Sequence, residues 1–301
     1  MQPARDFPSS TPSANDPAMP PAYWRVESVA PLWRVLAASG FGLWAWLGLA
    51  LALGLYPADR NGTLMPLLVG TLLISTGLLV ACLPWRGASD WYGWRPRLDS
   101  RPNRAALLAL ATYLPMLAVA GLARGQNVFW ATRLAGAALT ACSLASLAYT
   151  GYRFCRQLSP PARRAASSLP ISRMVFAAYA GGLWLWLCVL VVDEPAPRHG
   201  LYPWIMLLLA MALLLGLLEG LAWHSLAGSP SHGGVAREQA LRPARFAAAL
   251  FTYVVPCVAL LLTRHEGVDL IAAALAVPSC LLGKCLERSL YESLLLHGAA
   301  A

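Results

Sequence analysis

Blocks of Leu, Ala, Val, Ile and Phe alternate along the chain with short polar stretches rich in Arg, Pro and Gly. An α-helix needs roughly 20 mainly apolar residues to cross about 30 Å of hydrocarbon. Eight blocks meet that standard, at 32–56, 65–84, 104–123, 128–150, 171–192, 202–223, 245–263 and 267–286. Strand-type alternation is absent from them, so the backbone polar groups must be satisfied inside helices and not in a barrel. The pattern predicts an all-α, polytopic membrane protein with eight transmembrane helices and almost nothing left over for a soluble domain.

The pattern also repeats. AASGFGLWAWL at 37–47 matches AAYAGGLWLWL at 177–187, which sets Gly42, Trp44 and Trp46 opposite Gly182, Trp184 and Trp186. ALATYLPML at 109–117 and ALFTYVVPCV at 249–258 each place Thr-Tyr shortly before a proline within an apolar run, and Arg124 matches Arg264. The expectation is two four-helix repeats, residues 32–154 and 171–296, joined by a basic cytoplasmic linker at 155–170. An even number of crossings per repeat makes them parallel and not inverted, with Tyr113 and Tyr253 in equivalent positions. Proline leaves a backbone carbonyl without its donor. Each Thr-Tyr-Pro element is therefore a helix kink whose orphaned carbonyl finds a Thr or a neighbouring helix, or else the wall of a ligand cleft.

Residues 1–31 are of another kind, rich in Pro, Ser and Asp and without an apolar core, and are expected to be a disordered cytoplasmic tail rather than a secretory signal. Asn61-Gly62-Thr63 fits a glycosylation sequon at the edge of a span, where it carries little information.

Composition agrees with the pattern: 58% of residues are hydrophobic and 12% charged, against about 25% charged in soluble domains. The net charge of +9 points to orientation and not to nucleic acid, because the arginines gather in alternate loops. Arg86, Arg95, Arg97, Arg101 and Arg104, then Arg153, Arg156, Arg163, Arg164 and Arg173, then Arg237, Arg242 and Arg245 lie on one side, against Arg60, Arg124, Arg198 and Arg264 on the other. The positive-inside rule puts the basic loops and both termini in the cytoplasm; the expected location is a bacterial inner membrane.

Candidate chemistry is sparse. Haem b held between helices needs two axial ligands inside the bilayer, but His199, His232, His265 and His297 fall in loops or the tail and His224 ends the sixth block. The cysteines have no metal-ligand spacing, and no phosphate loop, nucleophile elbow or zinc motif occurs. Neither a catalytic residue nor a metal site is expected. The ionisable groups at membrane depth are Glu219, Lys284, Glu287 and Arg288. Lys284 and Glu287 are spaced to pair on one helix face, and groups so placed are either functional or snorkelling toward a helix end.

Several stretches, in their order, resemble the DmsC family, the membrane anchor subunits of dimethyl sulfoxide reductase-type molybdoenzymes. ASGFGLWAWLGL with the following LYPADR resembles that family's first helix and loop, RAALLALATYLP the start of its third helix, and LERSLYESLLLHG its closing segment. The family's His-Leu-Gly element after the second helix, whose His is associated with quinol, is replaced here by Leu83-Pro84-Trp85-Arg86-Gly87. Its Ser-Arg-Glu ahead of the third helix reads Asn103-Arg104-Ala105.

The resemblance implies an anchor subunit without catalytic residues of its own. It would hold a ferredoxin-like iron-sulfur subunit and a molybdopterin catalytic subunit at the membrane and pass them electrons from menaquinol or ubiquinol in anaerobic electron transport. Its partners are those subunits, quinol and membrane lipid, with no nucleic acid, no haem and no covalently bound cofactor. The loop from Trp85 to Arg104 is then the expected quinol site. Trp85, Trp91, Trp94 and Tyr92 would flank the ring, Arg86 and Arg104 would bond its oxygens, and Asp90 or Asp99 would take a proton; the same residues also fit an interfacial aromatic and arginine belt. The alternative is a small-solute transporter or an assembly protein for a membrane complex, with Glu219 as a coupling carboxylate.

Overall fold

A computed structural model describes residues 29–56, 60–82, 104–123, 130–157, 168–192, 201–227, 235–263 and 269–298. Among the described residues the regular elements are all helical: α1 (Val29–Leu53), α2 (Arg60–Cys82), α3 (Arg104–Ala111), α4 (Tyr113–Leu122), α5 (Trp130–Gln157), α6 (Leu169–Val192), α7 (Leu201–Ala227), α8 (Val235–Ala249), a π-helical turn (Leu250–Val254), α9 (Val255–Leu262) and α10 (Asp269–Gly298). They form eight stretches long and apolar enough to cross a membrane, the third from α3 and α4 and the seventh from α8, the π turn and α9. We number these stretches as spans one to eight.

Several boundaries move for local reasons. The first helix begins at Val29, inside the expected tail, with Pro31 in its first turn, where the missing N–H costs nothing. It stops at Leu53 because Gly54 turns left-handed (φ +70°). The Gly54 N–H then bonds the Leu51 carbonyl (3.1 Å) and the Leu55 N–H the Ala50 carbonyl (2.9 Å), which together make a Schellman end. The second helix starts at Arg60, earlier than expected, and carries Pro66. A proline there leaves the Gly62 carbonyl without its helical donor, and the Tyr56 hydroxyl donates to that oxygen at 3.0 Å.

Both Thr-Tyr elements fall on irregular helix. In the third span Thr112 separates α3 from α4, and its Oγ1 donates back to the Leu108 (3.0 Å) and Ala109 (2.8 Å) carbonyls. In the seventh span the Val255 N–H reaches the Leu250 carbonyl, five residues back, and opens the π turn. In that register residue 256 would serve the Phe251 carbonyl, but it is proline; the Ser279 hydroxyl of the eighth span donates there instead, at 2.9 Å. A neighbouring helix thus supplies the partner in the seventh span.

The first span is the centre of the bundle, 72% buried, whereas the sixth and seventh are each 28% buried and turn Leu213, Leu217 and Leu261 outward. It packs against the second, fourth and fifth spans through small residues. A Cβ on Gly42 would lie 1.7 Å from the Ala177 carbonyl oxygen, one on Gly181 2.2 Å from the Gly42 carbonyl carbon, and one on Gly48 2.5 Å from the Gly136 carbonyl oxygen. Lipid tails are as apolar as leucine, so membrane helices associate by such close backbone approach and not by a hydrophobic drive.

Candidate functional site

Four spans converge on one polar cluster. Glu219 lies on the sixth span roughly 8 Å from its His224 end, counting about 1.5 Å per residue, and is 6% exposed. Its Oε1 forms an ion pair with Lys284 Nζ of the eighth span and accepts the Ser172 hydroxyl of the fifth at 3.3 Å. Its Oε2 accepts a hydrogen bond from the Tyr253 hydroxyl of the seventh. Lys284 Nζ also holds Glu287 Oε2 at 3.0 Å, and Glu287 Oε1 accepts Trp223 Nε1–H at 3.3 Å.

Each carboxylate oxygen therefore has a donor, which is what allows two carboxylates and an ammonium to be withdrawn from water together. Aromatic rings close the cluster. Lys284 Nζ is 5.5 Å from the Phe176 ring centroid, and the Arg245 guanidinium carbon lies 4.1 Å from that of Trp223, distances at which a cation is attracted to a ring face.

The local chain explains how the groups meet. A Cβ at Gly283 would fall 2.4 Å from Thr252 Oγ1, so a glycine is needed where the π turn rests on the eighth span, one residue from both Tyr253 and Lys284. Glu219 and Trp223 share one face of the sixth span; Lys284, Glu287, Arg288 and Tyr291 share one face of the eighth. Together with Leu169, Ser172, Arg173 and Ala222 these residues line a cavity of about 60 Å³. That is well under the roughly 300 Å³ and more of ordinary ligand pockets, and it suits a few water molecules. Tyr291, 7% exposed on the cavity wall, has a buried hydroxyl without a hydrogen-bond partner.

The four membrane-depth residues expected from sequence line one cavity. Lys284 does bond Glu287 on its own helix, and it also bonds Glu219 from another span. Arg288 stands at the cavity edge and borders a second, smaller cleft with Arg34 and Arg173. Ser172, Trp223, Arg245 and Tyr291 were not anticipated; the signal for part of this set was the polar stripe at 284, 287, 288 and 291. Tyr253 stood out in the sequence only as part of a kink. Of the expected quinol residues, Arg104 is exposed at the start of the third span. Trp85, Arg86, Asp90 and Trp91, with Tyr92, Trp94 and Asp99, lie outside the described residues.

Helical spans with an internally compensated charge cluster define a multi-pass membrane protein. No family model matches the chain, and no curated protein or solved structure matches it either.

Proposed function

We propose that the chain is a membrane anchor subunit of the DmsC type, built as two parallel four-helix repeats in a bacterial inner membrane with the basic loops and both termini in the cytoplasm. In this reading it holds an iron-sulfur subunit and a molybdopterin catalytic subunit at the membrane and takes electrons for them from quinol. The observation that carries the reading is the order of the resembling stretches, which fall on the first, third and eighth of eight spans. Their short connections leave little chain for redox centres of its own. Both Thr-Tyr pairs lying on irregular helix supports the repeat.

Quinol oxidation releases two electrons and two protons, so the site needs oxygen-binding donors and a proton acceptor. Arg86, four residues after the second span's helix in the sequence, and Arg104, at the start of the third, are the proposed donors, and Asp90 or Asp99 the acceptor. The test is purification in mild detergent: an iron-sulfur protein is expected to come down with the chain. In membranes where that complex assembles, Arg86→Ala and Arg104→Ala are expected to weaken a quinol-analogue inhibitor roughly 10- to 150-fold, the worth of about 1.5–3 kcal/mol for a hydrogen bond to a charged group. Asp90→Asn is expected to slow quinol oxidation.

The buried Glu219–Lys284 pair favours a second reading, a small-solute transporter with Glu219 as its coupling carboxylate. A chain that purifies alone, stays folded and moves a solute in liposomes supports that reading over the first.

A further inference from the structure

We propose that the cluster around Glu219 is a one-sided proton path, running from the membrane face that bears the basic loops to Tyr253 near the middle of the bilayer. Depth along the spans orders the groups. Arg173, Arg288, Ser172 and Tyr291 stand within the first turn or so of the span ends. Glu287, Glu219 and Lys284 follow roughly 6, 8 and 10 Å in, and Tyr253 lies roughly 16 Å from the Arg242 end of the seventh span, at about 1.5 Å per residue. The cavity occupies the shallow part of this column, all of its lining belonging to the same ends of the fifth, sixth and eighth spans.

The hydrogen bonds connect the column. Tyr253 donates to Glu219, Glu219 and Glu287 share the Lys284 ammonium, and the unpartnered Tyr291 hydroxyl supplies a wall group to which water in the cavity can bond. Toward the other face the described core is closed by Leu208, Trp46 and Trp204 packed around Gly182. Tyr179 and Cys280 lie at about the depth of Tyr253, and the Cys257 thiol, hydrogen-bonded to Tyr179, lies deeper; all three are enclosed by the core.

Charge sets the capacity. Glu219, Glu287 and Lys284 together carry one net negative formal charge, so the trio can take one proton before it becomes positive. Arg173 and Arg288 at the mouth and Arg245 over Trp223 stay charged throughout. Inward, a hydronium ion in the cavity gives its proton to Glu219, whose new O–H bond forms as the hydronium's breaks and leaves water; protonated on Oε2, the carboxyl donates to the Tyr253 oxygen instead of accepting from it. The reverse sequence returns the proton to water, and no electrons move. The path does not depend on quinol being the donor.

The test uses the full chain in liposomes, sorted by capture on a C-terminal tag into those with the basic-loop face outside and those with it inside. The outer buffer is acidified and the carbonyl stretch of protonated carboxyl groups is followed by infrared difference spectroscopy. A band is expected in the captured vesicles, absent from the others and lost in Glu219→Gln. Because the single variant can fail to fold, Glu219→Gln combined with Lys284→Met and Glu287→Gln, which leaves the trio uncharged, is measured alongside and is expected to insert normally and to lack the band. A band that survives both variants, or that rises equally in both vesicle populations, overturns the proposal.

Discussion

Tyr113 and Tyr253 each follow a fully buried threonine inside a membrane span, yet the two hydroxyls live in different chemistry. Tyr113 shares a hydrogen bond of 2.8 Å with Ser75, and its ring meets Trp44 edge-on at 5.3 Å. Tyr253 donates to a carboxylate that is itself paired with a lysine. The backbones differ as well. Pro115 comes two residues after its tyrosine and the helix breaks at Thr112; Pro256 comes three after and the helix absorbs the change as a π turn. Similar local sequence therefore specified where each helix is irregular, while the neighbouring span decided what the irregularity presents. In the first four spans it closes a neutral, aromatic contact, and in the last four it completes a charged one.

Removing one partner of the ion pair should break this contrast most severely. Lys284→Leu leaves both Glu219 and Glu287 without their shared ammonium and is expected to cost about 3–5 kcal/mol, whereas Glu219→Leu leaves the Lys284–Glu287 pair in place and should cost less. Thermal unfolding in detergent measures both, and equal losses would mean that Glu287 is solvated in solution. Next in size is the seam joining the two regions. Gly42→Ala drives a methyl into the Ala177 backbone and should cost about 3 kcal/mol, the upper end of ordinary overpacking. Gly121→Ala, which meets nothing within 4 Å, is the matched control.

The tyrosines themselves give the finest measurement. Tyr253→Phe deletes a hydrogen bond to a charged acceptor and is expected to cost about 2 kcal/mol, whereas Tyr113→Phe deletes a neutral one worth about 1 kcal/mol. Ser75→Ala should add little once Tyr113 is already Phe, since both changes remove the same bond. If the two tyrosine variants unfold at the same point, the charged environment of Tyr253 contributes nothing to stability, and the contrast is confined to whatever the cluster does chemically.

Hydropathy by itself determined that the described residues form eight helical stretches long and apolar enough to cross a membrane, because the length of an apolar run against the thickness of hydrocarbon is a one-dimensional property. Prolines and threonines marked the third and seventh spans as irregular for the same kind of reason, a missing donor at a known position. The charged residues were legible as exceptions to apolar runs, and the Lys284–Glu287 pair followed from spacing on one helix. What only the tertiary structure decided is which spans face each other. Trp44 and Trp184 match in sequence, yet Trp44 is wholly buried and Trp184 is not. Glu219 finds Lys284 across sixty-odd positions of chain, and the seventh and eighth spans meet beside them where Gly283 permits a backbone approach that a Cβ would prevent. Such approaches join residues far apart along the chain, so no window of sequence contains both sides of the contact.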